Sequence, residues 1–441
     1  MKKLTLLFAI VAAFVMAISC EPEDGTQKIK IQLTQEDGTN LAQKGIKVVV
    51  TGEVAVFDET TDSKGVAAFK LPVGVYEATV SFTSRGKDGN TTNYNGKAAV
   101  TIEDPTVNPD AATEFKLPVI VSNGYPLIIK EIYAGGCLKN DASGTYANDK
   151  YMILYNNSGK EYDASNICIG NAYPSNAHGT NAYLTEGKLL YTTWMPSGWA
   201  FWGFKSTTTV KIPAYSQIVI SIFGAINHTE TYTNSVDLST ADYVMYDTQS
   251  GFSNASMYPA PASTIPATNY MVAYKYGQGN AWAIGNFSPA LYLFTMDAAT
   301  ATTFIADKAN LDYTCGEKMP NAMIPLASIV DGVESFNYPN LAKSNSRFIT
   351  SVDAGHANYT NGKGYTLYRN VDQEATEALP ENKGKLVYNY TGGTQDEEGG
   401  STDPSGIDAE ASIKAGAHII YKDTNNSTND FHQRKVASIK K

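Results

Sequence analysis

Polar and apolar residues alternate through Lys28-Ile29-Lys30-Ile31-Gln32-Leu33, the period of a strand that buries one face. Ile46 to Val50 predicts a second strand. Turn signals at Asp37-Gly38, Ser63-Lys64-Gly65, Asp88-Gly89 and Asn95-Gly96 cut residues 28–122 into short elements, because glycine and small polar residues accept the backbone angles of tight turns. The most regular stretch runs from Thr61 to Val80. A strand ends, Gly65 reverses the chain, Phe69 points inward, and Pro72-Val73-Gly74 leads into a strand carrying Tyr76.

Asn123-Gly124-Tyr125-Pro126 forms a joint, after which the pattern changes. Leu127 to Tyr133 and Tyr151 to Asn157 read as strands, as do the later Ile212 to Ile220 and Gly364 to Arg369. Residues 391–406 contain Gly, Thr, Ser, Asp and Glu with nothing apolar to bury. They are expected to be a flexible excursion between strands near 385–390 and 417–421.

The chain starts differently. Lys2 and Lys3 precede an apolar run from Leu4 to Ile18, closed by the small residues Ala17 and Ser19 before Cys20. That run is short of the roughly 20 apolar residues of a permanent span and has the three-part form of a secretory signal. Ala17-Ile18-Ser19-Cys20 resembles the lipobox of bacterial lipoproteins, with Ala17 in place of the usual leucine. The resemblance implies a lipid on Cys20 and removal of residues 1–19. A plain signal with an incidental cysteine is the alternative. Glu21-Pro22-Glu23-Asp24 resembles the acidic export signal of Bacteroidetes surface lipoproteins, which implies the outer face of the outer membrane, the periplasmic face being the other reading. Residues 20–27 are then a tether, about 3.3 Å per extended residue, and the first sandwich lies close to the membrane.

Composition agrees with strands. Tyr numbers 28 and Gly 36, while charged residues make up 18%, and aromatic and β-branched side chains favour pleated surfaces. A net charge of −10 without a basic run excludes a nucleic-acid surface, whose phosphates demand clustered Lys and Arg. Beyond Cys20 stand Cys137, Cys168 and Cys315. Three cysteines allow one disulfide at most and offer no paired metal spacing.

The Thr61–Val80 pattern resembles carboxypeptidase-regulatory-like, or transthyretin-like, sandwiches, which implies a spacer fold. The blocks Leu127 to Tyr133, Tyr151 to Asn157, Tyr162 to Asn166, Ile212 to Ile220 and Gly364 to Arg369 resemble in order those of the lamin-tail β-sandwich. Ile153 departs from that family's usual Glu, and 221–360 is longer than the family requires. The whole arrangement is similar to an uncharacterised Bacteroidetes lipoprotein family, DUF4876-like, which brings no assigned activity. The expectation is an all-β chain: signal 1–19, tether 20–27, a small sandwich over 28–122, and a lamin-tail-like domain over 123–441 with an insertion at about 221–360.

Catalytic patterns are sparse. The sequence has no Gly-x-Ser-x-Gly elbow, phosphate loop or His-Glu-x-x-His helix. Ser438-Ile439-Lys440-Lys441 fits Ser-x-x-Lys only by chance. His178, His228, His356, His418 and His432 are scattered and read as polar surface residues. Asp331-Gly332-Val333-Glu334 and Asp141-Ala142-Ser143-Gly144 are oxygen-rich but lack a calcium-loop spacing, so ordinary turns are expected. No catalytic residue, metal ligand or cofactor is assigned.

Three of the four tryptophans fall in Tyr191-Thr192-Thr193-Trp194-Met195-Pro196-Ser197-Gly198-Trp199-Ala200-Phe201-Trp202. Tyr191, Trp194, Trp199 and Trp202 have three readings: core beneath a lid, a protein interface, or a platform for a sugar or peptide ligand. Tyr270 to Tyr276, with Trp282, is expected to pack beside them. Three functions follow: a surface binding or accessory lipoprotein beside an outer-membrane barrel or transporter, a surface glycan hydrolase with its site in 191–360, or a structural envelope component. The first is preferred.

Overall fold

The computed structural model describes residues 26–85, 91–174, 179–282 and 284–440. The signal, Cys20, the Asp88-Gly89 turn, His178 and Lys441 lie outside them. Strand far outweighs helix, 38% against 11%, and the all-β expectation holds. It divides into two units, one running to Gly124 and joined by Thr424–Asn426, the other comprising 125–423 and the segment from Ser427 onward. No helix among the described residues is long and apolar enough to cross a membrane.

The first unit contains β1 (Thr26–Thr34), β2 (Lys47–Thr51), β3 (Val56–Thr60), β4 (Val66–Pro72), β5 (Gly74–Arg85), β6 (Thr91–Ile102) and β7 (Glu114–Gly124). They form one sheet in the order β3-β2-β5-β6-β7-β1-β4. The sheet curls until edges β3 and β4 approach without pairing, giving a nearly closed barrel. Period-two alternation puts Ile29, Ile31, Leu33, Phe69, Leu71, Ala78 and Val80 inside. Gly65 turns with φ +78°, and a Cβ there would lie 1.9 Å from the Leu41 carbonyl oxygen, so only glycine fits. Asn95-Gly96 is no turn, being internal to β6. A Cβ on Gly96 would meet Pro118 O at 2.6 Å, so this glycine permits a close approach of neighbouring strands.

Twelve strands of the second unit form two six-stranded sheets, and shorter two- and three-stranded sheets accompany them. In chain order the twelve are β8 (Leu127–Tyr133), β9 (Tyr151–Asn156), β10 (Ile167–Asn171), β11 (Ala200–Gly203), β12 (Gln217–Ser221), β13 (Tyr243–Val244), β14 (Val272–Lys275), β15 (Ala290–Thr295), β16 (Ile329–Asn337), β17 (Ala357–Tyr359), β18 (Thr366–Arg369) and β19 (Phe431–Arg434). One sheet runs β13-β12-β9-β8-β18-β19 and the other β14-β11-β10-β15-β16-β17. Leu127, Ile129, Ile132, Met152 and Leu154 of the first share a core with Ile167, Ile169, Trp202, Leu291, Leu293 and Val333 of the second.

Both sheets are also covered on their outer faces, so β8, β9, β10 and β16 are buried along their whole length. Ile128, Tyr155 and Tyr368 pack under Val371, Ile407, Ala409, Ile419 and Tyr421. Tyr292 and Phe294 pack with Ile324 and Phe348 on the far side of the other sheet. Strands buried on both faces lose the polar–apolar alternation. The register of β8 against β9 shifts between Ile153 and Leu154, leaving Lys130 without a partner position. This bulge explains why Leu127 and Ile129 share an inner face with Ile132 rather than Tyr133.

Two expectations need correcting. The 221–360 stretch is not appended, because β14, β15, β16 and β17 come from it and β15 pairs with β10 along five positions. Residues 391–406 are folded against β19 instead of standing away from it. Gln433 N donates to Ser401 Oγ at 2.9 Å and Gln433 Nε2 to Thr394 Oγ1 at 2.9 Å. A Cβ on Gly400 would lie 1.7 Å from Thr394 O. Hydrogen bonds and glycine contacts hold this loop where apolar burial cannot. The flanking strands expected near 385–390 and 417–421 reduce to isolated bridges, Tyr388 with Ile407 and Val371 with Tyr421.

Candidate functional site

The aromatic run goes mainly into the core. Trp199 is 3% exposed, Tyr191 2% and Trp202 0%, and Trp194 is half-buried against the outer cluster. Strand alternation in β11 sends Ala200 and Trp202 inward and Phe201 to the other face. Trp199 takes φ +43°, a costly angle for a large residue. It is held there by Trp199 N donating to Pro320 O at 3.0 Å and Nε1 to Ala281 O at 3.2 Å. The platform expectation for Tyr191, Trp199 and Trp202 is therefore corrected: their rings are consumed by packing, and no face remains for a ligand. Tyr270 to Tyr276 does lie beside them, β14 pairing with β11 from Ala200–Lys275 to Gly203–Val272.

Several buried ionisable groups displaced from their ordinary behaviour are structural anchors. Arg369 is 1% exposed. Its Nη2 donates to Asp331 Oδ2 at 2.6 Å, Nε to Ile129 O at 2.8 Å, and Nη1 to Asp423 Oδ1 at 3.2 Å, with Asp430 Oδ2 at 3.7 Å. Burial pushes the Asp423 carboxyl up to about 7, against the pull of Arg369. Burial also raises Asp331, with Arg369 opposing. Glu334 accepts from Arg347 Nε at 3.1 Å and Arg347 N at 2.8 Å. Asp353 accepts from the amides of Glu334 and Ser427, each at 2.8 Å, and burial lifts it to about 7. Asp331-Gly332-Val333-Glu334 is thus a buried length of β16, not a turn, whereas Asp141 does close a turn by accepting from Ser143 N at 3.0 Å.

Lys130, extruded by the bulge, donates to Glu410 Oε1 and Gln217 Oε1 at 2.7 Å each. The rings of Tyr368, Tyr421 and Tyr155 surround its ammonium at 5.2, 5.5 and 5.9 Å. Burial would raise Glu410, but the Lys130 charge and hydrogen bonds outweigh it and hold the carboxyl below its usual range.

Cys137 Sγ lies 3.8 Å from Asp149 Oδ2, beside groups of the kind that serve nucleophiles. Ser235 Oγ donates to the same oxygen at 2.6 Å and Tyr133 OH at 3.2 Å. Burial, then the Asp149 charge, pushes the thiol up to about 11, the opposite of the thiolate that nucleophilic chemistry needs. His228 is occupied elsewhere, with Nδ1 2.8 Å from Tyr146 OH and Nε2 2.6 Å from Gly224 O. His228 and His432 are buried, contrary to the surface reading. Cys137, Cys168 and Cys315 are free thiols. Among the described residues, no group of three His, Cys, Asp or Glu is placed to hold a metal.

An open groove of about 330 Å³ lies over the Cys137 region, lined by Leu138, Asn234, Lys363, Lys435, Val436 and Lys440. Leu138 is 45% exposed and Val436 50%. Lys363 Nζ pairs with Glu397 Oε2 at 2.7 Å, Lys435 Nζ with Asp396 Oδ1 at 2.9 Å, and Lys440 Nζ donates to Asn234 O at 2.8 Å. The C-terminal segment is fixed here by Ser438, whose N donates to Glu131 Oε1 at 3.0 Å. The groove thus offers ammonium groups beside exposed apolar side chains, a combination suited to binding. No local sequence pattern marks it, because its residues are scattered from 138 to 440.

Residues 215–398 match the family described as "Protein of unknown function (DUF4876)", and the resemblance to a Bacteroidetes DUF4876-like family is borne out. The crystal structure of a DUF4876 family protein from Bacteroides thetaiotaomicron VPI-5482 is similar over 93% of this chain and 95% of that one, at 19% identity and a TM-score of 0.51. This shows a shared fold. The structure of the Streptococcal ancillary pilin aligns with 44% of this chain and 59% of its own at 9% identity, with a TM-score of 0.18, and carries no argument. No curated protein matches.

Proposed function

We propose that this DUF4876-like chain is an outer-membrane lipoprotein, anchored through Cys20 at the cell surface, that binds a ligand or envelope partner without transforming it. The observation that carries the reading is the fate of the chemistry-bearing side chains. Arg369, Arg347, Lys130, Asp331, Glu334, Asp353 and Glu410 are turned inward and bonded to distant segments of their own unit. The exposed groove at Lys363, Lys435 and Lys440 supplies binding groups, and its lining contains no hydroxyl, thiol, imidazole or carboxylate side chain. An outer-membrane barrel or transporter is the partner that suits a surface tether, and a glycan or peptide is the ligand class.

Glycan arrays and affinity capture from envelope extracts test the reading. The expected result is a ligand or partner that the triple variant Lys363→Glu/Lys435→Glu/Lys440→Glu loses while remaining folded. Repeated failure of the wild-type chain to retain any glycan, peptide or envelope protein would sink it.

A further inference from the structure

Among the described residues, the six large apolar side chains exposed on the first unit are all valines: Val54, Val56, Val73, Val75, Val107 and Val121. Strand register gathers five of them at one end. Thr26 stands opposite Pro72, Gly74 opposite Ile102, and Thr51 opposite both Val56 and Glu77. The 51–56 hairpin, the 72–74 turn and the 103–113 loop therefore emerge together, beside the first residue of β1. Tyr76 ties them, since a Cβ on Gly52 or Gly74 would lie 2.8 or 3.3 Å from its ring. Gln27 Nε2 donates to Glu103 O at 3.2 Å, joining the start of β1 to the loop that carries Val107. Val121 is the exception, near the opposite end where β7 leaves at Gly124.

Exposure here exceeds ordinary surface wear, with Val54 at 96%, Val107 at 81% and Val75 at 69%. Clustered exposed apolar side chains mark an interaction surface. The position of the chain entry indicates the occupant. Thr26 follows Cys20 by six residues, a reach of about 20 Å when extended, so a lipid on Cys20 holds this end against the bilayer. We infer that the valine-bearing end of the first unit is a membrane-contact surface that dips into the lipid headgroup layer and sets the angle at which the tethered protein stands. This rests on the lipoprotein reading of Cys20. The loops carry Glu53, Glu103 and Asp104, so attraction to anionic lipid is not the driving term. Apolar insertion is, and it needs no negative headgroup.

The test uses the full mature chain with Cys20→Ser, which removes the lipid and leaves the valines. Flotation with phosphatidylcholine vesicles should show weak binding, reduced about tenfold or more in Val54→Asp/Val56→Asp/Val73→Asp/Val75→Asp, and unchanged in Val121→Asp. Circular dichroism melts check folding, and the single change Val54→Asp, at a fully exposed tip, supplies a partial loss should the quadruple variant unfold. Equal binding by the Val54→Asp and Val121→Asp chains, or no vesicle binding by the Cys20→Ser chain, would overturn the inference. So would a dimer that the valine changes dissolve, since the occupant would then be a second copy. Fatty-acid labelling of the wild type reports on Cys20 separately, so failure of the anchor and failure of the valine surface give different results.

Discussion

The first unit keeps its ion pairs on the surface, whereas the second builds its fold around charges held inside. In the barrel, Lys30–Glu114 and Lys47–Asp58 have more than half of each side chain in solvent, and the interior is aliphatic and aromatic. In the second unit, Arg369–Asp331 and Arg347–Glu334 are at most 2% exposed. The difference follows from architecture. The nearly closed barrel fills its interior by strand alternation. A sandwich with both outer faces covered must hold long irregular segments, and it does so by burying side chains that bond to the backbone and carboxylates of distant segments. Such pairs add little net stability compared with apolar packing, but losing one partner strands a charge.

Breaking the central anchor should have the largest effect. Arg369→Met leaves Asp331, Asp423 and Asp430 without their counter-ion and should cost about 3–5 kcal/mol, read as a lower denaturant midpoint for the second unit. A loss below about 1 kcal/mol would show that these acids are neutralised without Arg369.

A pH series sharpens the same contrast. Tyr390 OH lies 2.8 Å from His432 Nε2 and Asn370 Oδ1 2.7 Å from Nδ1, an arrangement that suits a neutral ring receiving a proton from Tyr390 and donating one to Asn370. Burial, with Arg434 assisting, lowers His432 from 6.5 to about 3. The unfolded chain takes up this proton as pH falls through about 6.5, but the folded chain does so only near 3. The stability from the neutral ring is thus complete above pH 6.5 and lost as pH falls from there toward 3. Asp353 and Asp423, lifted to about 7, act in the opposite sense, gaining as pH falls from 7 toward 3.8. The readout is therefore wild type against His432→Gln. The wild type should lose a few kcal/mol more across pH 6.5 to 3, and parallel profiles would contradict the assignment.

Smaller effects belong to the barrel. Ile31→Val, at 0% exposure, should cost about 0.5–1.5 kcal/mol. Lys30→Ala should change stability by no more than about 0.5 kcal/mol, and a loss near that of Arg369→Met would erase the distinction between the units.

That distinction also decides what could be read from the sequence. Ile29, Ile31 and Leu33 point inward as their alternation predicts, and Gly65 turns where it should. Alternation is silent for β8, β9 and β16, whose two faces are both buried, so Lys130, Asp331 and Glu334 passed as ordinary residues in apolar runs or turns. Their partners lie far away in sequence, Arg369 being joined to Asp331, Asp423 and Asp430. No local pattern encodes such pairing. The tryptophan cluster was visible as a cluster, but its burial depends on β14 and β15, which come from the stretch expected as an insertion.

Everything proposed about location depends on Cys20. Growth with a clickable fatty acid, followed by purification of the wild-type chain and Cys20→Ala, tests it directly. The wild type should carry label on a peptide that begins at Cys20 and should fractionate with membranes, and the variant should carry none. An unlabelled wild type, or a labelled Cys20→Ala chain, would contradict the anchor.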